Sequence, residues 1–232
     1  MRAVTQLHLA DAGASSVQLS VVTPEERPLQ LFGAAASEAV AEQLEMHGIE
    51  LLVDTTPLAV EGRALRLLPD QRIEADRVVA LPRLEGLRLA GLPHDANGFV
   101  PTDQHGLVRG LYDVYAAGDL TDFPVKQGGI ATQQADAAAE SIAAAAGARV
   151  EPQPFKPVLR GLLLTGMTPR YLRGEPGSLH SEADTEPLWW PPAKIVGLHL
   201  APFLASQLHL PESPPPSSGR LAVDVDLLAH VP

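Results

Sequence analysis

The chain has 232 residues, a formal net charge of −11 and no cysteine. Its length suffices for one large or two small domains, and its negative charge argues against nonspecific binding to nucleic acid. The lack of cysteine excludes disulfides, cysteine metal sites and cysteine nucleophiles within this chain. No stretch resembles a transmembrane span or a signal peptide, and the eight histidines lack the spacing of a metal site. We therefore expect a cytoplasmic protein without a metal centre.

A strand–helix–strand pattern follows a short leading segment. Residues 1–12 are typical of the end of a helix. The apolar run 17–23 predicts a strand, and Ser37 is a candidate N-cap for a helix over residues 38–47. A second strand is expected at residues 49–53. Strand, helix and strand with short connections predict a parallel unit of a doubly wound sheet.

An antiparallel insert and a return strand are expected next. Residues 57–60 and 64–68 flank a Glu-Gly-Arg sequence that is typical of a hairpin turn. The run 77–81 is continuously apolar and is followed by a proline, which predicts a buried strand. Residues 83–109 contain many glycines and are expected to form a connecting loop.

The most informative stretch joins a short apolar run to an alanine-rich run. Residues 114–117 predict a buried strand that ends at Gly118 and Asp119. After a short loop, residues 130–146 have the length and composition of a helix, and Gly147 lies where a glycine would end it. Glycines let the backbone approach a bulky ligand, and a helix N-terminus offers unpaired N–H groups. The pattern predicts a site for a partly anionic ligand at the start of this helix.

This stretch resembles the second flavin-binding segment of the flavoprotein oxidoreductases that contain two dinucleotide-binding domains. That family includes type II NADH dehydrogenases, sulfide:quinone reductases, ferredoxin reductases and the pyridine nucleotide-disulfide enzymes. The resemblance rests on six residues: Gly118, Asp119, Lys126, Gln127, Gly128 and Gly129. Residues 21–25, 29–33, 155–161 and 188–192 further resemble a branch of bacterial homologues of the NADH dehydrogenases.

The resemblance implies a role for these residues. Asp119 would hydrogen-bond the ribityl chain of FAD, and the amides around Gln127 to Gly129 would face N1 and O2 of the flavin. A helix N-terminus placed there stabilises the negative charge of reduced flavin. Lys126 would add a full positive charge and is the single candidate catalytic residue. The alternative is an ordinary strand–turn–helix in which Asp119 is a turn residue.

The resemblance extends, with less specific motifs, over residues 17–81 as the NAD(P)H-binding domain. Glu25 lies near the place where an acidic residue of a dinucleotide-binding unit bonds the adenosine ribose, which would favour NADH. Arg27 could instead bind a 2′-phosphate, and a solvated charged turn is the third interpretation.

A G-x-G-x-x-G motif should precede this unit, and none occurs in the chain. Residues 1–12 look like only the latter part of the helix that follows such a motif. We therefore expect a truncated chain, the C-terminal half of a longer flavoprotein. FAD and NAD(P)H would then both require the missing N-terminal half.

The character of the sequence changes towards the C-terminus, where the prolines concentrate. Residues 158–166 predict a strand, and residues 171–172 are expected to belong to a paired strand. A surface loop is expected at residues 173–186, and an apolar helix at residues 193–208. Residues 211–219 are expected to be disordered.

Trp189 and Trp190 precede that apolar helix and allow two interpretations. Tryptophans beside an apolar helix are typical of a membrane-surface element, which implies peripheral contact with the inner face of the membrane. The helix contains Lys194 as its only cation, which favours burial in a domain or homodimer interface.

Together these elements predict an α/β fold, a partial two-dinucleotide-binding-domain flavoprotein with Rossmann-like parallel sheet units and a small C-terminal α+β domain. The expected divisions are a partial NAD(P)H-binding domain (1–82), a returning segment of the FAD-binding domain (83–150), a C-terminal interface domain (151–210) and a proline- and serine-rich tail (211–232).

The expected function is transfer of hydride from NAD(P)H to FAD and of electrons to a quinone or another diffusible small-molecule acceptor. A dithiol or sulfide:quinone pathway would need cysteines, which this chain lacks. One alternative is a catalytically inert fragment that acts as a dimerisation or interaction module. Another is a carrier or redox sensor that binds flavin without turnover.

Overall fold

The computed structural model describes residues 17–165, 168–178, 180–190 and 196–209. Within these ranges the chain forms three small sheets and three α-helices. The N-terminal elements are β1 (Ser20–Val22), α1 (Ala34–Met46), β2 (Glu50–Leu52), β3 (Thr56–Glu61), β4 (Ala64–Leu68) and β5 (Gln71–Glu74). The later elements are α2 (Gly128–Ala145), β6 (Leu159–Leu163), β7 (Arg170–Gly174), β8 (Ser181–Asp184) and α3 (Leu200–Gln207). The expectations for residues 1–12 and 211–219 lie outside the described residues.

The strand–helix–strand unit forms as expected, since β1 and β2 pair in parallel with Val21 opposite Leu51. The start of its helix was predicted wrongly, because α1 begins at Ala34 and not after Ser37. Gly33, with φ 90°, directly precedes the helix, and the three alanines that follow have high helix propensity. Ser37 therefore lies inside the helix, where it is 2% exposed.

The hairpin is confirmed, with Glu61 of β3 opposite Ala64 of β4. The third strand of this sheet is β5, which the sequence analysis missed. The strand predicted at residues 77–81 is wrong, because these residues have no regular structure and Leu81 is 95% exposed. A strand requires a neighbour that pairs with its backbone, and none of the described strands pairs with this run.

The apolar run 114–117 also differs from the prediction. Among the described residues its one ladder contact is an isolated antiparallel bridge between Leu107 and Tyr115. The run instead packs against Val100 and Val108 in a small apolar cluster. Its backbone hydrogen bonds lead to the loop before it and not to a sheet, which explains why the run is not a strand.

The C-terminal sheet is antiparallel and has the strand order β6-β7-β8. The pairing of β6 with β7 confirms the two paired strands that were predicted at residues 158–166 and 171–172. The surface loop expected at residues 173–186 is wrong in part, because Ser181–Asp184 forms β8. This polar strand pairs with β7 through its backbone, which needs no apolar side chains. The described part of the predicted C-terminal helix is α3, and residues 196–199 before it are irregular.

The helix α1 packs against the C-terminal sheet. Ala36 and Val40 of α1 form a buried cluster with Leu172 of β7. On the same strand, Tyr171 contacts Trp189 edge to face, with 5.3 Å between the ring centroids. Segments assigned to two domains thus share an apolar core, and the domain boundaries stay a prediction. No helix among the described residues has the length and hydropathy needed to cross a membrane.

Candidate functional site

A short helical turn, Gly118–Leu120, lies in front of α2. Gly118 adopts φ 83°, a left-handed conformation that glycine accepts without strain. A Cβ added to Gly118 would lie 3.3 Å from Ala131 Cβ, so the glycine also lets the turn lie directly on the helix. The side chain of Asp119, at the centre of the turn, is exposed.

Two buried side chains that the sequence analysis missed hold this turn. The amide of Gly118 donates to Gln134 Oε1 (2.7 Å), and Gln134 Nε2 donates to Thr121 Oγ1 (3.1 Å). Thr121 Oγ1 donates back to Gly118 O (2.9 Å). Gln134 is 6% exposed and Thr121 is fully buried, so these hydrogen bonds are shielded from water. A glutamine among the alanines of a predicted helix was the signal available in the sequence.

The first three amides of α2 have no hydrogen-bond partner among the described residues; Gly128 is exposed, and Gly129 and Ile130 are buried. Gln127 precedes the helix with an extended backbone and without a side-chain cap. The first intrahelical hydrogen bond runs from Ala131 N to Gln127 O (2.9 Å). The amides of Gly128, Gly129 and Ile130 are therefore not used within the helix. Together with the helix dipole, they give this end of α2 a partial positive charge.

Two glutamines attach this helix start to the C-terminal sheet. Gln127 Nε2 donates to Arg160 O (2.8 Å). Gln133 Nε2 donates to Val158 O, and Gln133 Oε1 accepts from Val158 N, both at 2.9 Å. The remaining oxygen, Gln127 Oε1, is buried and has no hydrogen-bond partner among the described residues. An unsatisfied acceptor therefore lies beside the helix start.

Lys126 lies between the turn and an aromatic ring. Its Nζ donates to Thr121 O and lies 3.8 Å from the centroid of the Phe99 ring, within the range of cation–π attraction. Burial lowers the pKa of Lys126, and the negative charge of three nearby carboxylates opposes the shift. These carboxylates belong to Asp119, Asp122 and Asp95. Lys126 and Asp119 are thus electrostatic neighbours.

Glu25 lies at the carboxyl end of the parallel strands β1 and β2. Its carbonyl accepts from Asp54 N (3.0 Å), and its amide donates to Thr23 Oγ1 (3.2 Å). Ligands of open α/β sheets bind at this edge. No hydrogen bond or ion pair between described residues joins Glu25 to the residues around α2. The structure therefore brings six of the seven predicted site residues together and leaves Glu25 apart.

The residues around α2 combine two kinds of recognition. The exposed carboxylate of Asp119 can accept hydrogen bonds from hydroxyl groups, and no described residue does so already. The amides at the helix start can donate to a carbonyl or an anionic edge. In the described part of the chain, no cluster of histidine or acidic side chains could hold a metal ion. The arrangement suits an organic ligand that carries both hydroxyls and an electron-rich edge.

One known protein family matches a part of the chain that includes the residues around α2. Residues 5–145 match the family described as pyridine nucleotide-disulphide oxidoreductase. This match includes the β1–α1–β2 unit, the Gly118–Leu120 turn and α2. The sequences of curated proteins give no match.

Three solved structures have similar folds. LpdA from Mycobacterium tuberculosis has a TM-score of 0.54 and 17% identity, over 69% of this chain and 36% of that one. The NAD-dependent persulfide reductase from A. fulgidus has a TM-score of 0.52 and 16% identity, over 69% and 32%. The reduced CoADR-RHD from Bacillus anthracis has a TM-score of 0.51 and 14% identity, over 88% and 33%. Similarity at this identity concerns the fold alone, and it confirms the predicted Rossmann-like α/β fold. This chain spans about a third of the length of each of these proteins.

Proposed function

Because the chain belongs to the pyridine nucleotide-disulphide oxidoreductase family, we propose that it contributes the second flavin-contacting segment of an FAD-dependent oxidoreductase. The reaction would pass hydride from NAD(P)H to FAD and electrons on to a quinone or another diffusible acceptor. The observation that carries this proposal is the Gly118–Leu120 turn, which presents the exposed carboxylate of Asp119 beside helix-start amides that have no hydrogen-bond partner among the described residues.

The residues present fit the flavin. Asp119 would accept hydrogen bonds from the ribityl hydroxyls, because its carboxylate is exposed and no described residue occupies it. The amides of Gly128 and Gly129 would donate to the electron-rich edge of the ring system, since neither is used within α2. Gly118 supports both contacts, because only a glycine lets the turn lie on the helix in this conformation.

Lys126 would act through its charge. The hydrogen bond to Thr121 O and the contact with the Phe99 ring hold its ammonium beside the turn. Its positive charge adds to the dipole of α2, and both favour negative charge on a ligand at this place. Burial lowers the pKa of Lys126, but the three neighbouring carboxylates favour its charged form.

The nicotinamide cofactor and the acceptor are proposed on separate grounds. Glu25, at the carboxyl end of β1, would bond the adenosine ribose of NAD(P)H. The chain has no cysteine, so its own residues cannot form a redox-active disulfide, and we propose a diffusible acceptor such as a quinone. A cytoplasmic location with peripheral membrane contact and a homodimer complete the proposal.

The Asp119 assignment is tested by flavin binding. The purified chain is incubated with FAD, excess FAD is removed, and the visible absorbance is recorded. Asp119→Ala should weaken flavin binding by roughly tenfold to hundredfold, the usual worth of hydrogen bonds to a charged group. Its far-UV circular dichroism should stay unchanged, because the side chain is exposed.

Asp70→Ala is the matched control, because it removes an exposed carboxylate in the turn between β4 and β5. This variant should retain as much flavin as the wild type. Full flavin occupancy in Asp119→Ala would refute the assignment. A wild-type chain that retains no flavin would show that these segments do not suffice for binding, and bleaching of a retained flavin by NADH would support the proposed reaction.

A further inference from the structure

A cavity of about 280 Å³ lies beside α2, on the side of the C-terminal segments. Its walls come from α2, from residues 153–160 and from residues 196–198, and they are mostly apolar. Four charged side chains line it: Asp136, Glu140, Lys156 and Arg160. None of these residues belongs to the proposed flavin site.

Both carboxylates of the cavity already have partners. Asp136 Oδ2 accepts a hydrogen bond from Leu198 N (2.5 Å). Glu140 Oε2 accepts from Gln153 N (2.9 Å), and Glu140 Oε1 lies 3.5 Å from His199 Nε2. These contacts connect the walls of the cavity. The two carboxylates contact backbone amides and a histidine, and neither forms an ion pair with Lys156 or Arg160.

The C-terminal sheet contains one cation without a counter-charge among the described residues. Arg160 on β6 lies opposite Arg173 on β7, and Arg173 lies opposite Glu182 on β8. The single carboxylate of this row pairs with the central arginine, since Glu182 Oε2 lies 3.6 Å from a terminal nitrogen of Arg173. Arg160 takes part in none of the ion pairs between described residues. This row of the sheet therefore carries one cation more than it has carboxylates, and the unbalanced cation is Arg160, which lines the cavity.

The environment of Arg160 makes this charge costly. Its Nε is buried and has no hydrogen-bond partner among the described residues. Burial, and then the charge of Arg173, lower the pKa of Arg160, yet a guanidinium remains charged at neutral pH. A buried donor without an acceptor and a charge without a partner each carry a free-energy cost, and a ligand anion at the guanidinium would supply the counter-charge.

We propose that this cavity binds a small organic anion, a carboxylate on an apolar body, with the carboxylate on the Arg160 guanidinium. A guanidinium and a carboxylate match as a bidentate pair, and the apolar walls provide the contact area typical of a small-molecule site. A strongly hydrated phosphate suits these walls less well. Lys156, at the exposed rim, adds a second positive charge. The proposal does not depend on flavin binding.

The first test compares two probes on the wild-type chain by isothermal titration calorimetry. Phenylacetate carries a carboxylate on an aromatic body, and phenylacetamide has the same shape without the charge. Phenylacetate should bind at least about tenfold more tightly, as expected for a charge-assisted hydrogen bond. No binding of phenylacetate, or equal binding of the two probes, would overturn the proposal.

The second test assigns the binding to Arg160. Arg160→Gln should weaken phenylacetate binding by roughly tenfold to hundredfold and leave phenylacetamide binding unchanged. Arg160→Lys keeps the charge and should retain part of the affinity. Arg109→Gln makes the same charge change at an exposed arginine outside the cavity and should bind phenylacetate like the wild type. Undiminished binding in a folded Arg160→Gln variant would overturn the assignment. If that variant does not fold, the two probes on the wild type and on Arg160→Lys decide.

Discussion

A glycine lies at the start of both long helices, Gly33 directly before α1 and Gly128 as the first residue of α2, but the C-terminal sheet closes one helix start and leaves the other open. At α1, Ala35 N donates to Ser181 Oγ at 3.0 Å, and a Cβ on Gly33 would lie 2.6 Å from Ser181 Cβ. At α2, no side chain among the described residues accepts a hydrogen bond from the amides of Gly128 or Gly129. The same local sequence feature therefore serves packing in one helix and is free to serve a ligand in the other.

A glycine before a helix therefore indicates a ligand site only when the rest of the chain leaves the helix start free. The group that closes α1 lies on β8, far away in sequence. No local pattern around Gly33 reveals it. At α2 the C-terminal sheet also approaches, but Gln127 and Gln133 contact it through their side chains and keep the backbone amides unused.

The largest predicted loss of stability comes from the tightest contact at the start of α1. A Cβ on Gly174 of β7 would collide with the carbonyl of Phe32, in the turn before α1. Gly174→Ala should therefore lower the free energy of unfolding by about 3 kcal/mol, as overpacking against a rigid backbone does. Urea denaturation followed by circular dichroism measures this change.

The control for this variant is Gly177→Ala. A Cβ there meets nothing within 4 Å, although φ is 80°, so only the left-handed conformation should matter and should cost about 1 kcal/mol. Equal losses of unfolding free energy in Gly174→Ala and Gly177→Ala would mean that the sheet does not contact the turn before α1 as closely as described.

The turn at the open start gives the next effect. Gln134→Met introduces an apolar side chain of similar length. It removes the acceptor of the Gly118 amide and the donor to Thr121. A buried amide left without a partner should lower the free energy of unfolding by about 2 kcal/mol, and flavin binding should weaken because the turn is no longer fixed. The exposed Gln30→Met should change both quantities little. Unchanged flavin binding in a destabilised Gln134→Met would separate the turn from the site.

Local patterns in the sequence predicted the elements that depend on local physics. The Glu61–Ala64 hairpin and the alanine-rich helix α2 follow from turn chemistry and helix propensity. The parallel pairing of β1 and β2 follows from the short helical connection between them. The proximity of the six residues around the start of α2 could be predicted because they lie within one short stretch of the chain, and their role as a binding site stays a prediction.

The remaining features depend on which parts of the chain meet. Residues 77–81 have the sequence of a strand but no described neighbour, and β8 has a polar sequence but pairs with β7. Ser37 has the chemistry of a cap, but Gly33 takes that place at the true helix start. Gln134 and Thr121 were missed because their roles require the turn and the helix to be folded together. Pairing and packing, unlike propensity, cannot be determined from one segment.

The smallest predicted loss of stability comes from the side-chain cap of α1, and this cap also gives the clearest contrast with α2. Ser181→Ala removes the side-chain acceptor of the Ala35 amide and should lower the free energy of unfolding by about 1 kcal/mol, the usual worth of a helix N-terminal hydrogen bond. Ser178→Ala removes a serine that accepts a backbone hydrogen bond from His180 N in an exposed loop, and it should cost less than about 0.5 kcal/mol. Flavin binding should stay unchanged in Ser181→Ala, because the start of α1 is closed by protein and has no part in the proposed site. Weakened flavin binding in this variant would mean that the two helix starts are not independent, and the distinction between a closed and an open start would fail.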